Sequence, residues 1–91
     1  MADPSAMVNV ANDLFSAGDF EAALKAYEDA LASMPDTPEL ECNRGAALRN
    51  LGRPEEALVA LDKALELNPE FVQAHHNRGL TLHAVGRAED A

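Results

Sequence analysis

Apolar residues recur at steps of three and four along this chain, the spacing that lays one stripe along an α-helix. After Pro54 the stripe is Ala57, Leu58, Leu61, Ala64, Leu65 and Leu67, with Glu55, Glu56, Asp62, Lys63 and Glu66 on the other side. After Asp19, the residues Ala22, Ala23, Ala26, Tyr27, Ala30 and Leu31 repeat the pattern. No stretch alternates apolar and polar residues around a hairpin dipeptide, so no strands are expected. The spacing predicts five helices, over about 4–17, 19–34, 38–51, 54–68 and 71–85.

Turn chemistry divides the helices. Gly18, Gly52 and Gly86 fall one past the odd-numbered helices, where a left-handed backbone is cheapest without a Cβ. Asp19 is placed to cap the second helix and Thr37 the third. Pro38 and Pro54 suit a first helical position, which needs no N–H, whereas Pro35 and Pro69 end the even-numbered helices.

These marks share one period. Gly18, Gly52 and Gly86 recur every 34 residues, as do Ala23, Ala57 and Ala91, the pair Gly45 and Gly79, and the pair Pro35 and Pro69. A fixed period signals a small unit stacked on copies of itself, each unable to bury its apolar face alone. The pattern resembles the tetratricopeptide repeat, a helix–turn–helix unit, over essentially the whole chain. The resemblance rests on Gly45 and Gly79 in first helices, the three turn glycines, Ala23 and Ala57 in second helices, Tyr27 and Leu61 at the large facing site, then Ala30, Ala64, Pro35 and Pro69. The first unit departs in having Ala11 where the others have glycine, and Met7, Glu41 and His75 stand where the family often has Trp.

The resemblance implies an all-α fold, with antiparallel helix hairpins stacked in a right-handed superhelix and a concave face made from the odd-numbered helices. Units are expected at 4–37 and 38–71, with an incomplete third at 72–91. The fifth helix then either caps the array or belongs to a piece of a longer one. Leu80, Leu82 and Val85 are poor material for a polar end face and favour the longer array.

Charge narrows the partners. Seven basic residues against sixteen acidic ones give a formal net charge of −9, which argues against nucleic acid and against an anionic membrane surface. Apolar content is 47% but aromatic content only 4%, a mixture suited to close helix–helix packing. One cysteine, Cys42, makes no internal disulfide and is expected as a small apolar filler in a reducing, cytoplasmic setting.

Catalysis finds no constellation, and no cofactor or metal is expected. Cys42 and His76 are repeat-equivalent, which sets them a helix pair apart, too far for a thiolate–imidazole couple. His75, His76 and His83 are separated by one, seven and eight residues rather than the four by which a helix chelates. Glu28–Asp29 and Glu55–Glu56 read as solvated convex stripes, and Arg53 and Arg87 as turn-side charges.

The concave groove is the candidate site. The resemblance implies a lining of Asn12, Phe15, Asn43, Arg49, Asn50, Gln73, His76, Asn77, Leu80 and His83, together with Val8, Asn9, Ser16, Glu39, Cys42 and Ala46. Amides both donate and accept, which suits an extended peptide backbone. Phe15 either faces a partner or folds back on the second helix. One subgroup of the family clamps the C-terminal carboxylate of chaperone tails with two Asn and several cations. Asn12 and Asn43 match the amides, but Val8, Gln73 and Asn77 stand where cations belong, so that clamp is not expected. Arg44, Arg49 and Arg78 are candidates for a different anion site. The expected function is a non-catalytic scaffold holding a partner protein or peptide in this groove. The alternatives are self-assembly through the incomplete third unit, giving a homo-oligomer, or an adaptor piece of a larger enzyme such as a repeat-bearing glycosyltransferase.

Overall fold

Each predicted stripe becomes a helix with a neighbour to bury it against. The computed structural model describes residues 4–90, and side-chain surroundings from Ala6 to Gly86. The helices are α1 (Pro4–Ser16), α2 (Phe20–Ser33), α3 (Pro38–Asn50), α4 (Pro54–Leu67) and α5 (Val72–Asp90). Among the described residues there is no strand. Each helix packs on the next in sequence, and α3 also meets α5. The result measures 47 × 28 × 18 Å.

Burial follows this stacking, with three apolar clusters strung along the long axis. Ala11, Ala23, Tyr27, Ala30 and Leu40 join α1, α2 and the start of α3. Leu24, Ala47, Leu48, Ala57 and Ala60 join α2, α3 and α4. Cys42, Leu61, Ala64 and Ala74 join α3, α4 and α5. Small residues decide how closely the helices approach. A Cβ on Gly45 would sit 2.8 Å from Leu61 Cγ and 3.2 Å from the Ala57 carbonyl oxygen, so α3 and α4 meet there as they do only because Gly45 has none.

The first two turns form as the sequence predicts. Gly18 and Gly52 take φ of +84° and +77°, and the N–H groups of Asp19 and Arg53 donate to the carbonyls of Leu14 and Leu48 at 2.9 Å. These six-to-one bonds satisfy carbonyls that the helix ends leave open. Asp19 caps α2 by accepting from the Ala22 N–H at 3.4 Å.

Four expectations change. The third turn does not form: α5 runs through Gly86 to Asp90 rather than stopping at Val85. Continued intrahelical bonds there satisfy the backbone groups that a turn otherwise would. Thr37 does not cap α3 with its side chain, since its hydroxyl turns back to donate to the Met34 carbonyl at 2.9 Å. Leu67, at the end of α4, is exposed instead of completing the stripe. Leu24 is buried although it lies off the stripe read for α2, because α2 has helices on two sides. Arg87 and Ala91 lie outside the residues with described side chains.

Candidate peptide-binding groove

Three odd-numbered helices converge on one cavity of about 320 Å³. α1 contributes Asn12, Phe15 and Ser16, α3 contributes Asn43, Ala46 and Arg49, and α5 contributes Gln73 and Asn77, with Tyr27 of α2 beneath. These positions follow from the helical period. Asn12, Phe15 and Ser16 lie three and four apart, and Asn43, Ala46 and Arg49 follow two steps of three, so each set shares one helix face.

Hydrogen bonds hold the amides in place. Asn12 Oδ1 accepts from the Tyr27 hydroxyl at 2.5 Å and from Asn43 Nδ2 at 3.4 Å, tying α1, α2 and α3 together. One helix pair further on, Asn77 Nδ2 donates to Cys42 Sγ at 3.3 Å and ties α5 to α3. Burial pushes the Tyr27 phenol above its ordinary pKa, which keeps it a proton donor to Asn12 at neutral pH. Burial also pushes the Cys42 thiol up, opposed by the Asn77 hydrogen bond and reinforced by the negative charge of Glu39. Cys42 is the buried filler that the sequence led one to expect, and not the groove residue that the resemblance implied. Val8 likewise turns inward, packing on the first core cluster.

Six of the ten expected site residues meet in this cavity: Asn12, Phe15, Asn43, Arg49, Gln73 and Asn77. Asn50 is exposed with its amide donating to the Ala46 carbonyl at 2.8 Å, while His76, Leu80 and His83 are exposed on α5 and do not line it. Phe15 does both things open to it. Its ring meets Phe20 edge-on, with centroids 5.2 Å apart, and it still borders the cavity. Tyr27 is the lining residue that sequence reasoning assigned to the core alone. Its hydroxyl was the missed signal, because a buried tyrosine usually finds a partner for its O–H.

Electrostatics single out one of the described arginines. Arg44 pairs with Glu28 at 3.4 Å and Glu41 at 3.5 Å, Arg78 pairs with Asp62 at 2.8 Å, and Arg53 pairs with Glu56 at 2.7 Å. That removes Arg44 and Arg78 from the expected anion site. Arg49 has no ion pair among the described residues, and its buried Nε has no hydrogen-bond partner. The histidines are dispersed as well, and His75 Nε2 donates to the Pro69 carbonyl at 2.7 Å. Among the described residues no three His, Cys, Asp or Glu side chains are placed to hold a metal ion. No described helix is long and apolar enough to cross a membrane.

Comparison with known proteins agrees with this architecture. The first TPR domain of human RPAP3 superposes with a TM-score of 0.87 at 24% identity, over 94% of this chain and 68% of that one. The TPR2B domain of yeast Sti1, solved as a complex with pHsp70, superposes with a TM-score of 0.88 at 28% identity, over 96% of this chain and 70% of the other. No curated protein gives a match. Family models described as "Tetratricopeptide repeat" match residues 38–71 and 60–91, and one described as "TPR repeat" matches 11–52. With the 34-residue period, the helix hairpins and these matches in hand, the chain belongs to the tetratricopeptide repeat family.

Proposed function

We propose that this chain is a non-catalytic protein-interaction module that holds an extended segment of a partner protein in the cavity of α1, α3 and α5. The observation that carries the reading is the convergence of Asn12, Asn43, Gln73 and Asn77 from three helices onto one concavity. Amide side chains at that spacing answer successive N–H and C=O groups of an extended backbone without demanding a particular sequence. The similarity to the yeast Sti1 domain, itself solved with pHsp70, supports a peptide or protein as occupant. The chaperone-tail clamp is not part of the proposal, since Val8, Gln73 and Asn77 supply no cations.

The test is to select binding peptides from a displayed random library and map one onto the ¹⁵N-labelled chain. Side-chain NH₂ signals of Asn12, Asn43 and Asn77 should shift together, and the double variant Asn43→Ala with Gln73→Ala should weaken binding by about tenfold. Shifts confined to the convex residues of α2 and α4 would overturn the groove.

A second reading is self-association through α5. It is favoured by one observation: a Cβ on Gly79 would meet nothing within 4 Å, and neighbouring Leu82 is exposed. With units at 4–37, 38–71 and 72–91, that face of α5 corresponds to the faces of α1 and α3 that α2 and α4 cover. Sedimentation over a range of concentrations separates the readings. A second copy covering the face gives a dimer that Leu82→Asp dissolves, and a monomer at every concentration removes this reading.

A further inference from the structure

We infer that the cavity selects its occupant by one acidic side chain, an internal Asp or Glu of the bound segment whose carboxylate pairs with Arg49. The inference rests on the groove reading above and adds the chemistry that the groove prefers.

Among the described residues Arg49 is the only charged one lining the cavity, and its neighbours there include the neutral Asn12, Asn43, Gln73 and Asn77. A buried charged donor with no acceptor is costly, and native structures usually satisfy it. The Arg49 Nε is such a donor, while Arg44, Arg53 and Arg78 all meet carboxylates of this chain. In a chain of net charge −9, acids are abundant, yet none is placed against Arg49 among the described residues. A ligand carboxylate meeting the guanidinium supplies the acid that this chain does not, because the planar group offers parallel N–H donors that match two carboxylate oxygens. The cavity offers one guanidinium, which fits one carboxylate. A free chain end would present one as well, so the segments tested have both ends blocked.

The experiment displays random 12-residue segments fused at both ends and selects them on the full chain. One position should be enriched in Asp or Glu. A synthetic version with both termini blocked should bind by fluorescence anisotropy, and replacing its acid by the matching amide should weaken binding by about tenfold. Arg49→Gln should weaken the acidic peptide by the same factor and bind the amide peptide as the parent chain does, with helicity by circular dichroism unchanged. Selected segments that show no acidic position overturn this inference and leave the groove reading standing. So does an Arg49→Gln variant that loses both peptides equally. Binding that requires a free C-terminal carboxylate also overturns it, in favour of a chain end. If no segment binds at all, the groove reading falls together with it.

Discussion

α3 and α5 carry the same three residues, Asn-Arg-Gly, at 43–45 and 77–79, in different surroundings. On the side facing the preceding hairpin they agree. Arg44 reaches Glu28 of α2 as Arg78 reaches Asp62 of α4, and Ala47 and Thr81 are both fully buried. On the opposite side they part. Gly45 is pressed against Leu61 and Leu48 is 1% exposed, whereas Gly79 meets nothing and Leu82 is 44% exposed. The turns that follow differ in the same way, left-handed at Gly52 and helical through Gly86. Burial in a repeat is thus a property of the neighbour, and identical text is core or surface according to what packs on it.

The largest effect that breaks the symmetry is truncation of the paired leucines. Leu48→Ala should cost about 2–4 kcal/mol, the transfer term plus a cavity, while Leu82→Ala should cost under about 1 kcal/mol. Urea unfolding followed by circular dichroism measures both. Equal losses would mean that the α5 face is covered in solution, and a concentration-dependent midpoint would identify the cover as a second copy.

The paired glycines come next, and here even the sign should differ. Gly45→Ala gains helix propensity but drives a methyl into Leu61 and the Ala57 carbonyl, for a net loss of about 1–2 kcal/mol. Gly79→Ala meets open space and should gain up to about 1 kcal/mol. The same unfolding curves decide it, and a loss at Gly79 would point to a close neighbour on that face.

The 34-residue period makes the helices and two of the turns legible in the sequence, because glycine in a left-handed turn and alanine at a tight contact are demands of single positions. Expectation and fold diverge where an outcome depends on partners. At Gly86 the residue for a turn is present, yet the backbone stays helical. Thr37 has the right side chain, but the Met34 carbonyl claims its hydroxyl. At the cavity, helical register placed Asn12 with Phe15 and Asn43 with Arg49 on shared faces of α1 and α3. It could not tell that Cys42 rotates into the α3–α5 contact, or that His76, Leu80 and His83 lie off the cavity. The fate of the arginines depends on packing too. The 34-residue period relates Glu28 to Asp62 and Arg44 to Arg78, but only the stacked helices show that these acids reach those cations and leave Arg49 without one.

Thiol chemistry gives a kinetic version of the comparison, since Cys42 of α3 and His76 of α5 are repeat-equivalent. Cys42 is fully buried and burial raises its pKa, so a thiol reagent should reach it only through local opening. A cysteine introduced by His76→Cys in a Cys42→Ala background should react at least about 100-fold faster at pH 7, corresponding to ~3 kcal/mol of opening. Comparable rates would mean that the α3–α5 contact opens freely.

The smallest effect concerns how two equivalent positions start α2 and α4. At 19 and 22 the Asp19 carboxylate accepts from the Ala22 backbone N–H, whereas at 53 and 56 the arginine side chain donates to Glu56 Oε1 and Oε2 at 3.0 and 2.7 Å. That hydrogen bond holds the Glu56 carboxyl below its ordinary range, and it also raises Arg53. A folded-state pKa below the unfolded value means that the stabilisation is present above the unfolded carboxylate range and is lost as pH falls through the folded value. Both side chains are open to solvent, so the contribution is slight and screened by salt. Glu56→Gln should therefore lower the urea midpoint marginally at pH 7, and the difference should close as pH falls through the folded carboxyl's lowered range, and in about 1 M salt. A difference that persisted at low pH would place the origin in packing around the second turn, because no charge would remain on Glu56 to lose.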